Sequence, residues 1–261
     1  DHRDLHSFPT RRSSDLGVDK AKPLTFPGTV STVRAGGREY LMADTAPRSG
    51  VPVFFSVSPR LSDREDEIAF CLVAAAEQAS RFMAVEAEVQ VYHEKDSASA
   101  GYVREMNVRF DRELAESLRD DLVLIDSVQD AEGTYALFSL PNASLSISWA
   151  AEGGISREPR WITQPPEIVG YLTGVGSSPR RRLFSDSVTG ADEKALEELI
   201  KQISLQIRAG TLTYEALGMG SYDKATGMEY SRGIVAGFYI ISRFVSRDGQ
   251  TFYSLAACPV K

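Results

Sequence analysis

Histidine, cysteine and tryptophan are scarce in this chain, with three, two and two copies in 261 residues. Two cysteines, Cys71 and Cys258, cannot build a disulfide framework, and neither has a second Cys or His at a metal-ligand spacing. A bond between them would need their Cα atoms within about 7 Å. Cys71 falls on the apolar face of a helical pattern and Cys258 at a strand end, so free buried thiols are the expectation. No apolar run approaches the roughly 18 residues that would span a bilayer. Basic residues (29) are outnumbered by acidic ones (36), giving a net charge of −7, and no basic stripe is interleaved with aromatics. Nucleic-acid binding by counterion release is therefore disfavoured. The one dense basic run, Arg180-Arg181-Arg182, reads as a solvated loop ahead of a helix.

Present instead is an ordinary globular composition, 43% hydrophobic and 25% charged, enough for one large domain or two of common size. Residues 1–16 are an exception, because they read letter for letter as the translation of a common short-read sequencing adapter. Like a fusion scar, they are set aside from fold and function. Asp1, Asp4 and Asp15 cancel Arg3, Arg11 and Arg12, so the charge balance is unchanged, and His2 and His6 leave His93 as the lone native histidine. The true start, with any signal sequence, is then expected upstream of Gly17.

The rest of the chain reads as two copies of one unit. A β-prone run at 51–57 and another at 168–175 end at Ser58-Pro59 and Ser178-Pro179, breaks suited to a strand-to-helix loop. A helix with apolar positions three and four apart follows each. Aligning Gln78-Ala79-Ser80 with Gln202-Ile203-Ser204 pairs Cys71 with Ala195, Leu72 with Leu196, Ala75 with Leu199 and Met83 with Ile207 as core-facing positions. Ser62 with Glu65 suggests a capping box for the first helix, and Asp186 a cap for the second. Each copy closes with a hairpin: 122–128 and 134–141 around Asp130-Ala131-Glu132-Gly133, and 238–245 and 251–259 around Asp248-Gly249. Short helices are predicted at 111–120 and 230–236. The fold class is therefore α+β, two tandem strand-helix-strand-(short helix)-hairpin units with each long helix packed on a small, mainly antiparallel sheet. Residues 51–141 form the first unit and 167–261 the second. Residues 17–50 read as a linker with an edge strand at 38–43, and 142–166 as a linker with another at 145–149.

One stretch carries a family resemblance. Pro159-Arg160-Trp161-Ile162-Thr163-Gln164-Pro165-Pro166 leads to Gly170-Tyr171-Leu172-Thr173-Gly174-Val175-Gly176-Ser177-Ser178-Pro179 and then an amphipathic helix. The closing Asp248-Gly249-Gln250-Thr251-Phe252-Tyr253-Ser254-Leu255-Ala256 adds an aromatic-rich last hairpin. Together these residues resemble the LPP-twenty lipoprotein family of bacterial envelope proteins, across about 100 residues of the second unit. A fainter similarity is to the amino-terminal domain of flagellar assembly protein T. The resemblance implies an α+β fold and a place in the cell envelope, periplasm or outer membrane, held by a lipid on a lost amino-terminal cysteine. It implies no reaction.

Candidate chemistry is sparse. Gly174-Val175-Gly176 sits between a strand and a helix, where a phosphate loop could occur, but the third glycine is missing and Pro179 stands in the way, so a strand-terminating turn is expected. Gly218-Met219-Gly220 is a weaker case. His93, in a polar run, could act as a base, yet no Gly-x-Ser-x-Gly elbow presents a nucleophile to it. The carboxylates Asp63, Glu65, Asp66 and Glu67 suit a helix dipole, and Asp192, Glu193, Glu197 and Glu198 a solvated face. Packing of Trp161 on the second unit's sheet is the favoured reading, and partner binding by Trp161, Pro165 and Pro166 is the alternative. No catalytic residue, metal ligand or cofactor is assigned. The sequence thus suggests a non-enzymatic envelope protein that binds or scaffolds an unidentified partner. Its alternatives are a small hydrolase or transferase using His93 and the groove between units, and an oligomeric assembly module of the envelope or flagellar system.

Overall fold

The computed structural model describes residues 50–93, 101–149, 157–208 and 229–260, with positions 37, 41, 42, 45 and 47. The fold is α+β. Strand β1 (Val53–Pro59) leads to helix α1 (Arg64–Met83), then β2 (Val85–His93), β3 (Gly101–Phe110), α2 (Arg112–Leu118), β4 (Val123–Gln129) and β5 (Gly133–Ser139). After a short 3-10 turn (Arg160–Ile162) come β6 (Tyr171–Pro179), α3 (Phe184–Arg208), β7 (Glu229–Val235), β8 (Tyr239–Val245) and β9 (Thr251–Pro259). Three antiparallel sheets result, ordered β1-β5-β4, β3-β2-β7 and β6-β9-β8.

The first and third sheets repeat one order, first strand, last strand, penultimate strand. Both place a register shift at the same point of the penultimate strand, between Leu124 and Asp126 and between Ile240 and Ser242. Pro59 and Pro179 close the leading strands and Arg64 and Phe184 open the helices, a spacing of 120 residues in both cases. The alignment of Gln78 with Gln202 implies a spacing of 124. The difference is about one helical turn, which preserves the buried face while exchanging the partners on it.

Both of these sheets are covered on two faces. Phe54, Ala136 and Phe138 share a core with Cys71, Leu72, Ala75 and Ala79 of α1. From the opposite face, Phe55, Val57, Tyr135 and Leu137 meet Phe184, Val188 and Ala191 of α3. That two-sided burial is why β1 and β5 are buried at consecutive positions rather than at alternate ones. In the third sheet Ile240, Ala256 and Cys258 pack with Ala195, Leu196 and Leu199, while Tyr239, Ile241, Leu255 and Ala257 join the first core with Trp161. The middle sheet is shared, since β2 pairs with β3 on one side and with β7, from the far half of the chain, on the other.

Several sequence expectations give way. Asp63, not Ser62, caps α1, accepting the Glu65 N–H at 2.9 Å. Asp186 lies inside α3, because Phe184 is drawn into the core between Tyr135 and Phe252, ring centroids 5.3 and 4.9 Å away, and starts the helix three residues early. Residues 229–235 form a strand where a short helix was expected, the β2 edge offering a complete ladder. Leu41 and Met42 are helical, against the strand expected at 38–43. Residues 145–149 join no sheet; the Leu145 N–H donates to the Gly50 carbonyl at 2.8 Å and its side chain is buried in the first core.

Gly174 and Gly176 do not end β6 but lie within it. A Cβ on Gly176 would stand 2.1 Å from the Ala195 nitrogen and 2.3 Å from the Ala191 oxygen, so the glycines let α3 press onto the strand. Cys71, Leu72, Ala75, Ala195, Leu196 and Leu199 are buried as expected. Met83 is not, with 45% of its surface exposed at the end of α1, and the Ile207 side chain lies outside the described residues.

Candidate functional site

A cleft of about 600 Å³ runs between α1 and α3. Each helix commits its apolar stripe to a sheet, which leaves the flanking stripe to face its counterpart. Ala74, Glu77, Gln78 and Arg81 form the α1 wall at helical spacing, and Thr189, Asp192, Glu193, Leu196 and Glu197 the α3 wall. Val108 and Phe110, two apart on β3 and so on one face, complete an apolar floor with Phe238.

Beneath the cleft lies a buried ion pair. Arg243, 2% exposed, crosses the Phe55 ring at 5.4 Å and donates to Asp192 twice, Nε to Oδ1 at 2.9 Å and Nη2 to Oδ2 at 2.8 Å. Ser254 donates to the same carboxylate at 2.6 Å. Arg243 Nη2 also reaches Gln78 Oε1 at 3.2 Å, and Gln78 Nε2 donates to the Phe55 carbonyl at 2.7 Å. The two walls are thereby tied together below the surface they present. Arg243 Nη1 is buried with no hydrogen-bond partner among the described residues.

On the rim, Lys194 pairs with Glu197 at 2.5 Å and Arg81 lies over the Phe110 ring at 4.5 Å. Glu77 and Glu193, one on each wall, join no ion pair among the described residues.

A second buried charge, Glu67, has no exposed surface. It accepts from Thr134 Oγ1, from the Leu61 N–H at 2.9 Å, from Arg64 at 2.7 Å and from Arg60 at 3.2 Å. Arg64 continues to the Gly133 and Asp130 carbonyls, so the β1–α1 loop is clamped to the β4–β5 hairpin. Burial alone would raise the Glu67 pKa, but the bonds from Thr134, Leu61 and Arg64 outweigh it and hold the carboxyl below its ordinary value.

Of the residues singled out in the sequence, Trp161 is 2% exposed and belongs to the core, so its indole presents nothing to a partner. Pro165 is exposed, and Pro166 is half-buried with its carbonyl accepting from Thr173 at 2.8 Å. None of the three lines the cleft. His93 closes β2 opposite Gly101, its side chain outside the described residues, as is the whole of Gly218-Met219-Gly220. Cys71 and Cys258 are free and buried, and burial pushes both thiols up to about 12, so neither is a nucleophile near neutral pH. Arg180 is no solvated loop residue, since it pairs with Glu132 at 3.2 Å and covers Phe184.

The sequence offered Glu67 only a helix-dipole role, Gln78 only a place in the repeat alignment and Asp192 a solvated face. The structure buries Glu67 and pairs Asp192 with Arg243, a residue passed over altogether. A signal existed for Arg243: an arginine within the apolar run Phe238-Tyr239-Ile240-Ile241-Ser242-Arg243-Phe244-Val245 must either reach solvent or find a buried carboxylate. Among the described residues no cluster of His, Cys, Asp or Glu could hold a metal ion, and no helix is long and apolar enough to cross a membrane. Compared with family models, curated proteins and solved structures, the chain matches none.

Proposed function

We propose that this chain is a non-enzymatic binding or scaffolding module of the bacterial cell envelope, built from two copies of one α+β unit. The observation that carries the binding role is the cleft between α1 and α3, an apolar floor under a charged rim on a frame cross-tied by Arg243 and Asp192. Such a surface is suited to recognising a partner. The shared strand order supports the duplication, as do matching contacts at the loop before each helix. The Arg60 N–H meets the Glu132 carbonyl as that of Arg180 meets Gln250, and the Leu61 N–H meets Glu67 as that of Arg181 meets Ser187. The Trp161 to Pro179 segment, by its resemblance to envelope lipoproteins, supports the location.

Recovering the DNA upstream of the codon for Gly17, expressing the gene from its own start and fractionating the cells tests this reading. The product should appear in the envelope fraction and take up labelled palmitate. A start codon with no signal sequence, and protein confined to the cytosol, would overturn the location.

An assembly role is a second reading, favoured by one observation: β3 and β7 end their sheet, leaving two strand edges with no neighbour among the described residues. Sedimentation should then report a dimer or larger species, and a strict monomer up to about 100 µM would remove it.

A further inference from the structure

We propose that the cleft between α1 and α3 receives a short extended peptide segment carrying a lysine or arginine, whose basic group lies between Glu77 and Glu193. This inference rests on the reading of the chain as a binding module and names the class of partner.

The dimensions set the conformation. From Ala74 to Arg81 the α1 wall runs about 10 Å, and from Thr189 to Glu197 the α3 wall runs about 12 Å, at roughly 1.5 Å per residue. An extended strand advancing about 3.3 Å per residue fills that length with three or four residues. A helical segment, advancing only about 1.5 Å per residue, would need about seven or eight residues to cover the same length.

The charges set the composition. Asp192 is neutralised from below by Arg243 and Glu197 by Lys194, while Arg81, over the Phe110 ring, keeps its charge and offsets one of the remaining carboxylates, so the cleft holds a net excess of one negative charge. The remaining carboxylates are one on each wall, Glu77 and Glu193, above the apolar Ala74, Val108, Phe110, Leu196 and Phe238. A cation between the half-buried Glu77 and the exposed Glu193 is favoured by that excess negative charge, while an acidic segment is disfavoured by it. Apolar neighbours of that cation, alternating along an extended segment, cover the floor.

The test uses the full chain and a fluorescein-labelled pentapeptide alternating three leucines with two lysines, followed by anisotropy, with a counterpart carrying glutamate in place of lysine. The lysine peptide should bind saturably and at least about tenfold tighter than the glutamate one. The double substitution Glu77→Gln with Glu193→Gln should weaken lysine-peptide binding about tenfold. Glu113→Gln with Glu116→Gln removes equal charge from exposed positions on α2 and should leave binding within about twofold. Thermal melts of both variants report their folding. Equal affinity for the two peptides, equal weakening by both double variants, or no saturable binding up to about 1 mM would each overturn the proposal. Cell fractionation is read separately, so an envelope protein that ignores the lysine peptide loses only this inference.

Discussion

Glu67 sits among three neighbouring acidic residues, yet only it is fully enclosed, and four donors converge on its carboxylate. Because its pKa is depressed on folding, the unfolded chain binds more protons in the interval between the two values. The stabilisation is complete above the unfolded value near 4.3 and disappears as pH falls through the folded value. Chemical denaturation from pH 7 down to pH 3 should show this loss, and in Glu67→Gln its slope should shrink. Glu67→Ala should cost about 1–3 kcal/mol, since it leaves the buried Thr134 hydroxyl without this partner while Arg64 and Arg60 can turn to solvent. Glu67→Ser should recover part of that, because Ser187 accepts the Arg181 N–H at 2.8 Å in the second half. A serine variant no more stable than the alanine one would count against equating the two loops. From the sequence this carboxylate looked like one more charge on a helix's first turn, because its burial depends on Thr134, a residue 67 positions away.

Among the elements, β6 and α3 are the most tightly matched. Where the first half places bulk on the strand, with Phe54 opposite the small Cys71, Ala75 and Ala79, the second places it on the helix, with Leu199 over Gly174. Gly176→Ala should therefore lift α3 off its sheet and cost at least about 3 kcal/mol, read as a lower denaturation midpoint. Leu199→Ala, at a fully buried position, should cost about 2–5 kcal/mol. A loss under about 1 kcal/mol in either would contradict the packing described. The sequence made the long helices, the two hairpins and the leading strands legible, because apolar periodicity and the Asp248-Gly249 turn act locally. It mistook Gly174 to Gly176 for a turn and residues 230–236 for a helix for a common reason. In both places the deciding neighbour, α3 for the glycines and β2 for β7, is distant in the chain.

At the scale of the molecule the two halves are joined by more than a linker. Arg243 joins β8 to both long helices, and Arg180 pairs with Glu132 across the halves. The Tyr239 hydroxyl accepts the Val53 N–H at 2.8 Å at the edge of the first sheet. One unfolding transition is the expected outcome, with far-UV and near-UV circular dichroism coinciding, and two separated transitions would refute it. Arg243→Ala should cost about 3–5 kcal/mol by leaving Asp192 uncompensated, whereas Arg243→Met combined with Asp192→Leu should restore much of the loss. If the double variant is no more stable than the single one, charge compensation is not what the pair supplies.

The pairing of β2 with β7 also sets a clock. Val85 meets Val235, so about 150 residues must leave the ribosome before the strand finds that partner. At roughly 5–20 residues per second the interval is about 7–30 s. Throughout it one edge of β2 is open to any other chain within reach, a nascent neighbour included. The yield of correctly assembled protein should therefore fall with expression rate more steeply than its final stability would indicate, and slowing translation should restore it.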